Sequence, residues 1–184
     1  DGTQSGTRLL KDIYAGPQSS IYMFGERSAP MMAIDGILYL AAEDEVYGTE
    51  LWRSDGTESG TWLVKDIGVN VPGSDPSNFV ELDGLLYFTA ATEQHGVQLW
   101  RSDGTESGTW MVSGGNGNSA SDSVRGPLTV MNDALYFVGI DATHGAELWR
   151  SDGTTSGTHM VKDIDADYGA LQNFYNGFEA HNDR

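Results

Sequence analysis

The chain contains no cysteine among its 184 residues. Disulfides, thiolate metal sites and cysteine nucleophiles are therefore excluded, while the compartment stays open, because secreted bacterial proteins often manage without disulfides. Cationic residues are scarce as well. Ten Lys and Arg stand against 27 Asp and Glu, a formal charge of −17 with a pI near 4.2. Such a surface repels phosphate backbones and anionic lipid, so nucleic acid is not an expected partner, whereas cations, cationic proteins and neutral glycans are compatible with it. No apolar run approaches the length of a membrane span and no basic-then-apolar leader opens the chain, so no membrane-spanning segment is expected. Catalytic templates are missing too: there is no G-x-S-x-G elbow, no H-E-x-x-H and no phosphate-binding glycine loop.

What the chain does have is glycine and repetition. Gly accounts for 24 residues, and hydrophobic residues for 39%, enough for a packed core in a turn-rich protein. The string D-G-T-x-S-G-T begins at Asp1, Asp55, Asp103 and Asp152, with offsets of 54, 48 and 49 residues. Each internal copy follows L-W-R-S, at Leu51–Ser54, Leu99–Ser102 and Leu148–Ser151. A period of this length suits four-stranded propeller blades better than helical repeats. Within a unit, Phe79–Leu82 and Leu85–Ala91 flank Asp83-Gly84, a two-residue hairpin signal, and Val97–Ser102 and Thr109–Val112 flank the D-G-T-E-S-G turn. The second strands, L-L-Y-F and A-L-Y-F, are continuous apolar runs, as expected for strands buried on both faces between stacked blades.

These features predict an all-β, propeller-type array of four-stranded antiparallel blades, with blades over residues 31–67, 79–115 and 128–164, an orphan outer strand at 1–13 completing a neighbouring blade, and a tail or further repeat at 165–184. Three blades leave two sheet faces uncovered. Copies of the chain closing a ring, two chains and six blades being the simplest case, or further blades of a longer parent are the expected solutions.

The motif resembles the bacterial ELWxxDGT repeat proteins. The match is E-L-W-R-S-D-G-T-E-S-G-T at Glu50–Thr61, E-L-W-R-S-D-G-T-T-S-G-T at Glu147–Thr158, and a variant with Gln98 in place of the glutamate. It extends to V-K-D-I at Val64–Ile67 and Val161–Ile164 and to His95-Gly96 and His144-Gly145. The resemblance implies secreted or cell-surface bacterial proteins of propeller-like β architecture, without an established enzymatic activity. Ser113-Gly114 in place of K-D-I, and Tyr47 at the histidine position, depart from the pattern.

The recurring residues support two readings each. In the D-G-T turns, Asp can hold backbone amides two residues on, which explains the motif structurally; calcium is the alternative, with Asp55, Asp103 and Asp152 joined by Asp66 or Asp163 to raise the ligand number. Trp52, Trp100 and Trp149 read as wedges between blades rather than as sugar platforms, while Trp62 and Trp110, on the fourth strands, are the better candidates for an exposed contact surface. His95 and His144 read as turn-stabilising residues, since they belong to different units and lack zinc-site spacing. By propeller topology, the loops between second and third strands, with Asp44, Tyr47, Glu93, His95, Asp141 and His144, share a ligand or partner face with the inter-blade segments 68–78 and 113–125. The expected function is a noncatalytic extracellular scaffold or interaction module with a protein or glycan partner. A calcium-dependent carbohydrate-binding module is the alternative, and an enzyme acting on polysaccharide through a central channel a weaker one.

Overall fold

A computed structural model describes residues 2–21, 30–69, 72–112 and 123–164. Within them the fold is all-β and propeller-type, made of three four-stranded antiparallel sheets. Blade 1 comprises β1 (Met31–Ile34), β2 (Ile37–Asp44), β3 (Gly48–Ser54) and β4 (Trp62–Lys65). Blade 2 comprises β5 (Ser77–Leu82), β6 (Leu85–Thr92), β7 (Gly96–Ser102) and β8 (Trp110–Met111). Blade 3 comprises β9 (Ser123–Val130), β10 (Leu135–Asp141), β11 (Gly145–Ser151) and β12 (His159–Lys162). Each sheet is a simple meander in which consecutive strands pair.

Local chemistry accounts for the hairpins. Asp35-Gly36 and Asp83-Gly84 have positive φ at both positions, 48° and 81° in the first and 54° and 75° in the second. Primed turns of this kind match the twist of the strands they join, and they set Ile34 opposite Ile37 and Leu82 opposite Leu85. Asn132 and Asp133 take the same conformation, with φ of 49° and 55°, closed by Met131–Ala134 hydrogen bonds.

The blades stack face to face. Leu51, Tyr39, Val64 and Ile67 of blade 1 meet Leu86, Phe88, Ala90 and Trp100 of blade 2 in one core cluster. A second cluster joins Tyr87, Leu99 and Val112 of blade 2 to Leu135, Phe137 and Trp149 of blade 3. The recurring geometry is an indole wedge: Trp100 packs among residues of blade 1 and Trp149 among residues of blade 2. Trp52 makes the same move towards the N-terminal segment, where Ile13 and Ile21 pack against Leu40, Ala42 and Trp52. The first strands neighbour one another, β1 with β5 and β5 with β9, so the fourth strands lie at the opposite edge of the array.

Two expectations need correction. Residues 7–13 form no β-strand; they run as irregular chain over blade 1, without the three partner strands that would make them a fourth strand. Their placement nonetheless mimics one. Lys11 Nζ donates to Thr61 O at 2.6 Å, as Lys65 Nζ donates to Thr109 O at 2.9 Å, and Glu43 N donates to Ser20 O as Ala91 N does to Ser74 O. Second, Ser123–Arg125, placed by the sequence in the inter-blade segment 113–125, belong to β9, where they pair with Val138–Ile140. Residues 113–122 of that segment, and 165–184, lie outside the described residues.

Burial differs sharply along the array. Leu99 is fully buried between blades 2 and 3, whereas its counterpart Leu148 is 37% exposed. Leu99→Ala should therefore cost about 2–5 kcal/mol, as large-to-small changes in packed cores do, and Leu148→Ala less than about 1 kcal/mol. Urea unfolding midpoints of the two variants check the contrast.

Candidate functional site

The D-G-T-x-S-G-T turns are self-contained. Asp55 Oδ1 accepts from Thr57 N at 2.9 Å and from Thr57 Oγ1 at 2.7 Å; Asp103 with Thr105 and Asp152 with Thr154 repeat the pair of bonds. Thr57 Oγ1 in turn accepts from Gly60 N, and Thr61 Oγ1 donates to Thr57 O. The carboxylate lies so close over Gly60 that any side chain there would collide with it, and Gly108 and Gly157 stand in the same relation to Asp103 and Asp152. The Thr hydrogen bonds hold all three Asp carboxyls below their ordinary range.

The turns of blades 2 and 3 are also receptors for the blade before each. Around Gly104, a Cβ would meet the Tyr39 hydroxyl at 2.7 Å and the Arg53 guanidinium at 2.9 Å. Arg53 Nη1 donates to Gly104 O at 3.3 Å, and Lys65 reaches Thr109 O and, at 3.5 Å, Glu106 O. Tyr87 takes the corresponding place over Gly153. Burial raises the pKa of both tyrosines. The motif thus couples a local turn to a long-range contact. Spacing in the sequence gives no direct sign of that second role.

The tryptophans divide as strand positions dictate. Trp52, Trp100 and Trp149 are buried, with indole Nε1 atoms that have no hydrogen-bond partner, so they act as apolar wedges. Trp62 is 41% exposed at the edge strand, and the Arg53 guanidinium sits 4.5 Å over its ring; Arg101 covers Trp110 at 4.9 Å. Cation–π stacking shields these edge indoles and, in blade 1, holds the arginine that reaches the next turn.

At the other end of the hairpins, the β2–β3, β6–β7 and β10–β11 loops share one construction. Asp44 Oδ1 accepts from Val46 N and Tyr47 N, Thr92 Oγ1 from His95 N, and Asp141 Oδ1 from Thr143 N and His144 N. His144 Nδ1 lies 2.9 Å from Asp141 Oδ2, and that carboxylate raises the imidazole pKa. His95 makes a longer contact, 3.3 Å, with the Thr92 hydroxyl. Glu93 and His95 line a cavity of ≈ 320 Å³ together with Gln94, Trp100 and the inter-blade residues Ile67 and Val69. Inter-blade and β6–β7 segments therefore meet on one face. Among the described residues no three of His, Asp or Glu gather in a group that could hold a metal ion, so Asp55, Asp103, Asp152, Asp66 and Asp163 form no such group.

A feature not singled out in the sequence is Glu50, fully buried at the start of E-L-W. It clasps the inter-blade segment, accepting from Gly68 N at 2.7 Å and Ser74 Oγ at 2.5 Å. Gln98 holds this position in blade 2 and donates to His95 O, while Glu147 in blade 3 accepts from Ile164 N. The recurring glutamate was legible as part of the motif, but not its burial.

No family model matches the chain, and no curated protein matches it. Solved structures do. Two crystal structures of puromycin hydrolase, one of them a mutant complexed with PGG, superpose with TM-scores of 0.53 and 0.51 at 18% and 19% identity. Each match covers 79% of this chain and 21% of the hydrolase, so this chain spans about a fifth of that protein. The likeness is one of fold.

Desolvation pushes the Glu50 pKa up to about 7, from 4.5 in an unfolded chain. Between those values the folded state keeps a proton that the unfolded state has released, so the contribution of Glu50 to stability falls as pH rises from about 4.5 to about 7. Glu50→Gln should remove that fall, on the order of 2–3 kcal/mol. Chemical denaturation of both proteins at about pH 5 and about pH 8 measures it; an equal slope in the two would contradict the assignment.

Proposed function

We propose that this chain is a noncatalytic scaffold, a propeller-type interaction module that presents its loops and faces to a protein partner in an extracellular or cell-surface bacterial assembly. One observation carries the reading: the loudest residues of the repeat, the turn aspartates with the Tyr, Arg, Lys and Trp that recur in register, hold strand to strand and blade to blade. Little of the repeated chemistry is left over for turnover. The resemblance of the E-L-W-R-S-D-G-T strings to the ELWxxDGT proteins supports the location. Hydrolysis belongs to the puromycin hydrolase compared above, most of which has no counterpart in this chain.

A calcium-dependent carbohydrate-binding module is the second reading, favoured by the ≈ 320 Å³ cavity with Trp100 in its wall and Glu93, Gln94 and His95 around it. Its ligands would be a neutral sugar at the cavity and calcium at the acidic loops. Thermal melts with calcium and with chelator, combined with a glycan array, separate the two. The scaffold reading expects melting temperatures that agree within about 1 °C and no glycan signal. A calcium-dependent glycan signal that disappears in Glu93→Ala and His95→Ala would replace it with the second reading.

A further inference from the structure

Blade 3 carries, uncovered, the face that blades 1 and 2 bury. Leu51 and Leu99 are 0% exposed, Val64 and Val112 3% and 0%, and Ile67 5%; their counterparts Leu148, Val161 and Ile164 are 37%, 48% and 62% exposed. The middle strand records the same change. Leu86–Ala90 of β6 are buried on both sides, but β10 alternates, with Phe137 and Gly139 buried and Tyr136, Val138 and Ile140 only half-buried. Tyr136, Arg150 and Lys162 stand on this blade at the positions from which Tyr39, Arg53 and Lys65 reach the next turn. The other end of the array offers the matching vacancy. Gly104 and Gly153 lie under tyrosine hydroxyls, whereas nothing lies within 4 Å of a Cβ on Gly56 in the blade 1 turn.

We infer that the open face of blade 3 docks a second copy of this chain, which enters with the Trp52 side of blade 1 and its 55–61 turn. The inference rests on the scaffold reading and names its partner. Two interfaces inside the chain show what covers this face: a blade with a D-G-T-x-S-G-T turn, which the second copy supplies. The N-terminal segment holds the place meanwhile. Its Leu10-Lys11-Asp12-Ile13 matches Val161-Lys162-Asp163-Ile164, which spans the end of β12 and the two residues after it, and Lys11 already occupies the Thr61 carbonyl. That segment has no ladder of its own to lose, so a complete blade with a full apolar face displaces it at a gain in buried surface. Because donor and acceptor faces differ, the contact is heterologous, and it closes into a ring or extends as an open chain according to its rotation. The charge of −17 per chain opposes association, so added salt favours it.

Sedimentation velocity of the intact chain over a concentration series, at roughly 0.15 M salt, tests this. Expected is a reversible increase in mass above 19.9 kDa, with Leu148→Glu/Val161→Glu weakening association at least about tenfold and Lys11→Met strengthening it. Since the chain has no cysteine, a second measurement is unambiguous: Glu58→Cys and Lys162→Cys, placed on separate preparations and mixed under mild oxidation, should form a mixed disulfide dimer. A monomer at every concentration with no mixed disulfide overturns the docking and leaves the calcium and glycan result, which decides the scaffold reading, untouched. Self-linking of the Lys162→Cys protein in preference to the mixed dimer overturns it also, by showing blade 3 against blade 3.

Discussion

The structure depends on one contact, the burial of each sheet's face against the next sheet. A four-stranded meander on its own exposes apolar side chains on both faces and has no way to cover them. Here the Trp100 side of blade 2 fills against Leu51 and Ile67, and the Leu99 side against Leu135 and Trp149. At about 25 cal/mol per Å² of apolar surface removed from water, these interfaces supply most of the driving force for holding the array together.

A polar latch refines that contact. Hydrophobic stacking alone does not fix how one sheet is rotated on another, because it is not directional. The Tyr39 hydroxyl, the Arg53 guanidinium and the Lys65 ammonium group all address the 103–109 turn of blade 2, and backbone carbonyls with fixed directions receive the two cations. Asp103 and Thr105 in turn fix the turn that presents those carbonyls. Local turn chemistry and inter-blade geometry are thereby the same set of residues seen at two length scales.

Much of this was legible in the sequence. The D-G and N-D pairs marked the first hairpins through their tolerance of positive φ, and the doubly apolar second strands announced burial on both faces. The local hydrogen bonding of the turn aspartates followed from carboxylates able to reach amides two residues on. What could not be read depended on distance along the chain. Nothing in the spacing tells that Lys65 ends on the turn of the next repeat, that Glu50 is buried and holds Gly68 and Ser74, or that residues 7–21 drape over blade 1 without forming a strand. The cavity beside Glu93 and His95 is likewise a product of two blades meeting.

The most direct test of the central claim is a double-mutant cycle between Tyr39→Phe in blade 1 and Asp103→Ala in the turn of blade 2, read by denaturant unfolding. If the turn is the receptor for the preceding blade, the two changes should fail to add, with a coupling energy of at least about 0.5 kcal/mol. Additivity within about 0.3 kcal/mol would mean that the turn and the tyrosine act independently, and would contradict the turn's role as receptor for that tyrosine.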